Sequence, residues 1–92
     1  MESLLKSIPN VMDSLPTQFT SHQLIIVLAQ SSQHAYIEAL YENLGSDRPF
    51  QALHSKIGKH LGKITSIRLV SKEKDANIFG QVSENARWEK IA

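Results

Sequence analysis

Residues 49–71 read PFQALHSKIGKHLGKITSIRLVS, and within them the chain changes its period. The apolar residues Phe50, Leu53, Ile57, Leu61 and Ile64 are spaced by 3, 4, 4 and 3. That spacing lines one face of an α-helix. Beyond Ile64, Ser66-Ile67-Arg68-Leu69-Val70-Ser71 begins an alternation of period two, which suits a half-buried β-strand. A helix that gives way to a strand within so short a stretch makes the chain α+β. Pro49 fits the first turn of the helix, because its missing N–H has no partner there in any case. Gly62 reads as its end. Gly58 lies inside it at a cost of roughly 0.5–1 kcal/mol relative to Ala, which suggests that it admits a close neighbour.

Toward the N-terminus the clearest signal is Phe19-Thr20-Ser21-His22-Gln23-Leu24. With Thr20 as N-cap, Gln23 falls where its side chain can reach back to the Thr20 amide, forming a capping box. Phe19 and Leu24 flank the cap as a hydrophobic staple. The helix should run from Ser21 to about Gln30, with Leu24, Ile25, Val27 and Leu28 inward. Ser31 or Ser32 caps a second helix, Gln33 to Leu44, whose stripe would be Tyr36, Ile37, Leu40, Tyr41 and Leu44. Gly45 is the expected left-handed stop, followed by the turn Gly45-Ser46-Asp47-Arg48-Pro49. Residues 1–18 read as an N-terminal arm or a short docking helix over 2–13, with Leu4, Leu5, Ile8 and Met12 on one side. Pro9 would break or kink it.

Toward the C-terminus, Arg87-Trp88-Glu89-Lys90-Ile91 alternates as a second strand. Between the strands, residues 72–86 are polar and bear Asn77, Gly80 and Asn85 as turn residues, so a two-stranded hairpin with a long tip is expected. Ile78, Phe79 and Val82 are too apolar for a free tip, so part of it should fold back onto the domain.

At 92 residues and 41% hydrophobic, the chain is sized for one domain of modest stability. It has no cysteine, which excludes disulfides and thiolate metal sites and points to a reducing, cytoplasmic setting. The start MESLLKSIPNVM lacks the pattern of a secretory signal. The longest apolar run, Leu24 to Ala29, falls far short of the ~20 residues of a membrane span. Net charge is +1, but it is unevenly divided. Residues 1–47 carry one Lys against five acids, and residues 48–92 carry nine Lys/Arg against four. The first stretch is therefore −4 and the second +5, a field that suits an anionic partner.

The order helix, helix, turn, basic amphipathic helix and terminal β-hairpin resembles the winged helix-turn-helix family over Phe19 to Ile91. Two features depart from it: the turn before the third helix is long, and no strand is evident between the first two helices. The resemblance implies a recognition helix at Pro49–Leu61 that enters the major groove, and a wing whose tip is Lys72–Asn85. Residues 1–18 would then stand outside a domain of residues 19–92. The segment Asn77 to Trp88 also resembles the tail of small uncharacterised bacterial proteins, a likeness that carries no function.

The function implied is binding of duplex DNA, as a small bacterial transcription regulator or accessory DNA binder. Arg48, Lys56, Lys59 and Lys63 on the helix, with Lys72 and Lys74 on the wing, are the candidates for phosphates, where most of the affinity arises. Gln51, His54 and Ser55 are the candidates for base edges. No Arg lies inside the helix, which implies modest specificity. His22, His34, His54 and His60 show no metal-ligand spacing, and no cofactor is implied. Trp88, Tyr36 and Tyr41 read as core. Glu73 is expected to pair with Lys72 and Lys74, and Glu89 with Lys90. With no phosphate loop, no nucleophile elbow and little room for a substrate, the chain reads as a non-enzyme. The competing reading is a protein–protein module, because fold does not fix function. The apolar side of residues 4–15 would then serve as a homodimer contact or cover the domain's own core.

Overall fold

The computed structural model describes residues 1–91. Among them are four helices, α1 (Glu2–Asp13), α2 (Ser21–Ser31), α3 (Gln33–Tyr41) and α4 (Pro49–Leu61), and three strands, β1 (Gln18–Thr20), β2 (Ile67–Ala76) and β3 (Val82–Lys90). The strands form one antiparallel sheet in the order β1-β3-β2. The helices and the sheet share one core, built on Leu4, Ile8, Phe19, Leu24, Leu28, Leu53, Ile57, Leu61 and Trp88.

Residues 2–13 form an unbroken helix that docks its apolar side on the domain; Leu4, Ile8, Val11 and Met12 are all buried. Pro9 does not end it. A proline inside a helix costs about 3 kcal/mol, whereas each fully buried Leu or Ile contributes about 1.5–3 kcal/mol. Pro9 itself is exposed, so the carbonyl its ring leaves without a partner can turn to water.

The strand β1 has no counterpart in the sequence reading. Phe19 lies opposite Trp88 in the register, and both are buried. Three residues with one large apolar side chain are too short to show an alternation. Thr20, where β1 ends, caps α2 through the expected box: its Oγ1 accepts from the Gln23 amide at 3.2 Å, and the Gln23 Oε1 accepts from the Thr20 amide at 2.8 Å.

The third helix is shorter than the pattern suggests and turned about its axis. It ends at Tyr41 because Asn43 folds back, donating from Nδ2 to the Ala39 carbonyl at 2.7 Å. Its buried side is Tyr36 and Ala39, continued by the buried Asn43, which leaves Ile37, Tyr41 and Leu44 61%, 73% and 59% exposed. The stripe expected on this helix is therefore half outside, and Tyr41 is not core. Gly45 does not take the left-handed conformation expected of it; among the described residues only Gly80 has positive φ, at 77°.

The hairpin strands run much further than expected, and the tip contracts to residues 77–81. Asn77 organises that turn: its Oδ1 accepts from the Phe79 and Gln81 amides, and its backbone pairs with Gly80 and Gln81. Residues 72–76 are mostly exposed and the one buried side chain of residues 82–86 is the polar Asn85, so no apolar alternation marks either run as strand.

Candidate nucleic-acid interface

The third helix of the sequence reading, α4, begins at Pro49 and ends at the Gly62 C-cap, as expected. Leu53, Ile57 and Leu61 hold it to the core. The remaining face carries Gln51, Ser55, Lys56, Lys59 and Lys63, all exposed, and Arg48 is exposed at its N-cap. Between α4 and the inner side of the hairpin lies a cleft of about 720 Å³. One wall is α4 with Gln51, His54, Ser55, Gly58 and Lys59, and the other is β2 with Leu69 and Lys72. Ser21, His22 and Ile25 of α2, together with Asn85, Ala86 and Trp88 of β3, complete it, and Asn77 and Ile78 lie at the turn.

A β-bulge makes that arrangement possible. The register shifts between Leu69 and Ser71, with Leu69 opposite Trp88 and Lys72 opposite Ala86. On a regular strand, residues three apart point to opposite faces. The extra residue, Val70, resets the alternation, and so both Leu69 and Lys72 line the cleft. Nothing in the sequence marks this bulge.

The candidate residues thus divide. Gln51, His54, Ser55, Lys59 and Lys72 converge on the cleft; Arg48, Lys56, Lys63 and Lys74 lie outside its lining. Lys56 donates from Nζ to Asn43 Oδ1 at 2.6 Å, which ties α4 to the end of α3. Gly58 has no close neighbour: a Cβ built there meets nothing within 4 Å among the described residues, so it faces open cleft, contrary to the expected tight approach.

His54 is not placed to read bases. Its Nε2 lies 2.7 Å from the Tyr36 hydroxyl, and the two share a hydrogen bond. Phe50 and Phe79 pack around it. The two phenylalanine rings meet edge to face at 4.9 Å, and the His54 ring stacks on Phe79 at 6.3 Å. Burial, aided by the nearby His22, pulls the His54 pKa down to about 4. Burial also raises the Tyr36 pKa. The turn therefore does fold back onto the domain, and Phe79 is the side chain that touches α4.

His22 clamps the hairpin just behind the turn. Its ring nitrogens lie 3.0 Å from the Ala76 carbonyl and 3.3 Å from Ser83 Oγ, while its amide donates to Asn85 Oδ1 at 3.1 Å. Trp88 donates from Nε1 to Ser21 Oγ at 3.0 Å. None of these contacts was legible in the sequence, because each joins residues more than fifty positions apart.

The acids of the sheet take arginine rather than lysine. Glu73 pairs with Arg87, and Glu89 with Arg68. The expected pairs with Lys72, Lys74 and Lys90 do not form, since adjacent residues on a strand face opposite ways. These contacts raise the Arg87 pKa and, together with Gln18, lower that of Glu89. Lys90 instead donates to the Leu15 carbonyl at 2.7 Å. Among the described residues, Arg48, Lys56, Lys59, Lys63, Lys72 and Lys74 have no carboxylate within 4.0 Å. Among the described residues, no helix is long and apolar enough to cross a membrane. No family model, curated protein or solved structure matches this chain.

Proposed function

We propose that the chain is a winged-helix-like DNA-binding domain, with α4 as the helix that enters the major groove and the β2–β3 hairpin as the wing. The observation that carries this is the set of six cations on β2 and on or beside α4 that have no carboxylate within 4.0 Å among the described residues, while Arg68 and Arg87 of the sheet are paired. Cations without a carboxylate partner are the ones that can release counterions from phosphates, Lys56 by giving up its hydrogen bond to Asn43. The element order supports the reading too. From α2 onward the chain runs helix, helix, turn, helix and hairpin, although β1, which pairs with β3, precedes α2 instead of lying between α2 and α3. Gln51 and Ser55, exposed on the first turns of α4, are the side chains for base edges. With His54 held inside, the set of base readers falls to two and contains no Arg, which suits weak sequence preference.

The test is fluorescence anisotropy with a labelled mixed-sequence duplex at low salt, with the Lys56→Glu/Lys59→Glu double variant beside it. Binding at about 1–100 μM, the range of sequence-independent complexes, together with its loss in the variant, supports the proposal. Equal binding by both proteins, or none by either, removes it.

One observation favours a second reading, a protein-interaction module. Ile37, Tyr41 and Leu44 stand exposed on α3 and the turn after it. Under that reading Tyr41→Glu abolishes partner binding and added salt changes little.

A further inference from the structure

We propose that the cleft between α4 and the hairpin binds a small organic anion, one with a flat apolar body and carboxylate or sulfonate oxygens. The inference rests on the cleft alone and stands whether or not duplex DNA is bound.

Its size is the first reason. About 720 Å³ falls within the roughly 300–1,000 Å³ of small-molecule sites, which are mostly apolar with a few convergent polar groups. Trp88, Ile25, Ile78 and Leu69 supply the apolar lining. Trp88 is only 8% exposed and its N–H is already bonded to Ser21, so it adds a small apolar area to the lining and no donor.

Charge is the second reason. Lys59 and Lys72 stand on opposite walls, and against them the lining holds one acid, Glu84. Neither lysine has a carboxylate within 4.0 Å among the described residues. The balance in the cleft is therefore positive, and an anion lying between the walls would meet ammonium groups from both sides.

The third reason is an unpaired donor. Asn85 is part of the cleft lining yet only 1% exposed. Its Oδ1 accepts from the His22 amide, which fixes the orientation of the side-chain amide. Its Nδ2 then has no acceptor among the described residues, and it is the one buried side-chain N or O atom among them in that position. Buried donors are paired in nearly every native structure, and one without a protein acceptor calls for a water, ion or ligand oxygen. A ligand oxygen that reaches it would complete the amide and set the orientation of the bound molecule. Gly58 contributes by having no side chain, since a Cβ there would project into open cleft.

The test uses anilinonaphthalene sulfonate as the anionic probe and neutral phenylnaphthylamine as its uncharged counterpart. Trp88, the only tryptophan, reports from the lining, because its emission transfers to a dye held against it. The expected result is saturable one-to-one binding of the sulfonate with loss of Trp88 emission, at least about tenfold tighter than the neutral dye, as charge-assisted hydrogen bonds provide. Gly58→Phe, which fills the cleft, should abolish the transfer. Lys59→Gln/Lys72→Gln, both on exposed positions that leave the core untouched, should bring the sulfonate to the affinity of the neutral dye. A melting curve for each variant shows that it is folded. Dye binding without a Trp88 response, equal binding of the two dyes, or full binding by a folded Gly58→Phe would each overturn the proposal.

Discussion

Acidification should loosen this domain through one residue, His54, and the size of the effect follows from its surroundings. In the folded chain its pKa is pulled down to about 4, first by burial and then by the charge of His22. The other groups packed on it are Tyr36, whose hydroxyl shares a hydrogen bond with Nε2, and the rings of Phe50 and Phe79. Unfolding returns His54 to the ordinary histidine value near 6.5, so between pH 6.5 and 4 the unfolded chain binds the extra proton. The contribution is present in full above about pH 6.5 and is lost as the pH falls toward 4. At about 1.4 kcal/mol per pKa unit the gap amounts to roughly 3 kcal/mol, and partial solvent access reduces it to about 2 kcal/mol. The assay is urea unfolding followed by Trp88 fluorescence from pH 7.5 to pH 4, on the wild type and on His54→Gln. Glutamine keeps an acceptor for Tyr36 but does not titrate. The wild type should lose about 2 kcal/mol more than the variant over that range. Parallel pH profiles for the two proteins would refute the buried, neutral His54.

Three further outcomes follow from the packing and the caps. Ile8→Ala removes a fully buried side chain from α1 and should cost about 2–5 kcal/mol in urea unfolding; a change within ±0.5 kcal/mol, usual for a surface site, would mean that α1 is a loose arm. Gly58→Ala adds a methyl group where nothing lies within 4 Å, and should raise stability by about 0.5–1 kcal/mol through helix propensity. A loss of stability there would show that the cleft is closed in solution. Thr20→Ala removes the side-chain half of the capping box and should cost about 1 kcal/mol, read by thermal melting.

The sequence made the α+β class legible, and with it the capped α2, the extent of α4 and the presence of a hairpin, because each is signalled locally. A capping box needs four residues, and the stripe Leu53, Ile57 and Leu61 needs three turns of one helix. What failed depends on residues far apart. β1 exists because Phe19 lies opposite Trp88, and α1 is part of the core because it packs on α2 and α3 with Leu4 and Ile8 buried. Short-range pattern misplaced the inward side of α3, since Asn43, a polar residue, takes an inside position that the apolar count gave to Leu44. At the site, the lysines of α4 followed from helical spacing alone. The cleft did not, because it needs the bulge at Val70 to bring Lys72 onto the side of Leu69. The withdrawal of His54 into an aromatic cluster was visible only as the hint that Phe79 and Ile78 are too apolar for an open tip.

The most direct measurement of the central claim is the salt dependence of duplex binding by the wild-type protein and by Lys56→Glu/Lys59→Glu. Six cations on α4 and β2 that each neutralise a phosphate give a plot of log affinity against log salt with a slope of about −5, at roughly −0.9 per contact. The account predicts a slope of about −3 to −5 for the wild type and binding too weak to measure for the variant. A slope near zero, or wild-type affinity in the charge-reversed protein, would contradict it.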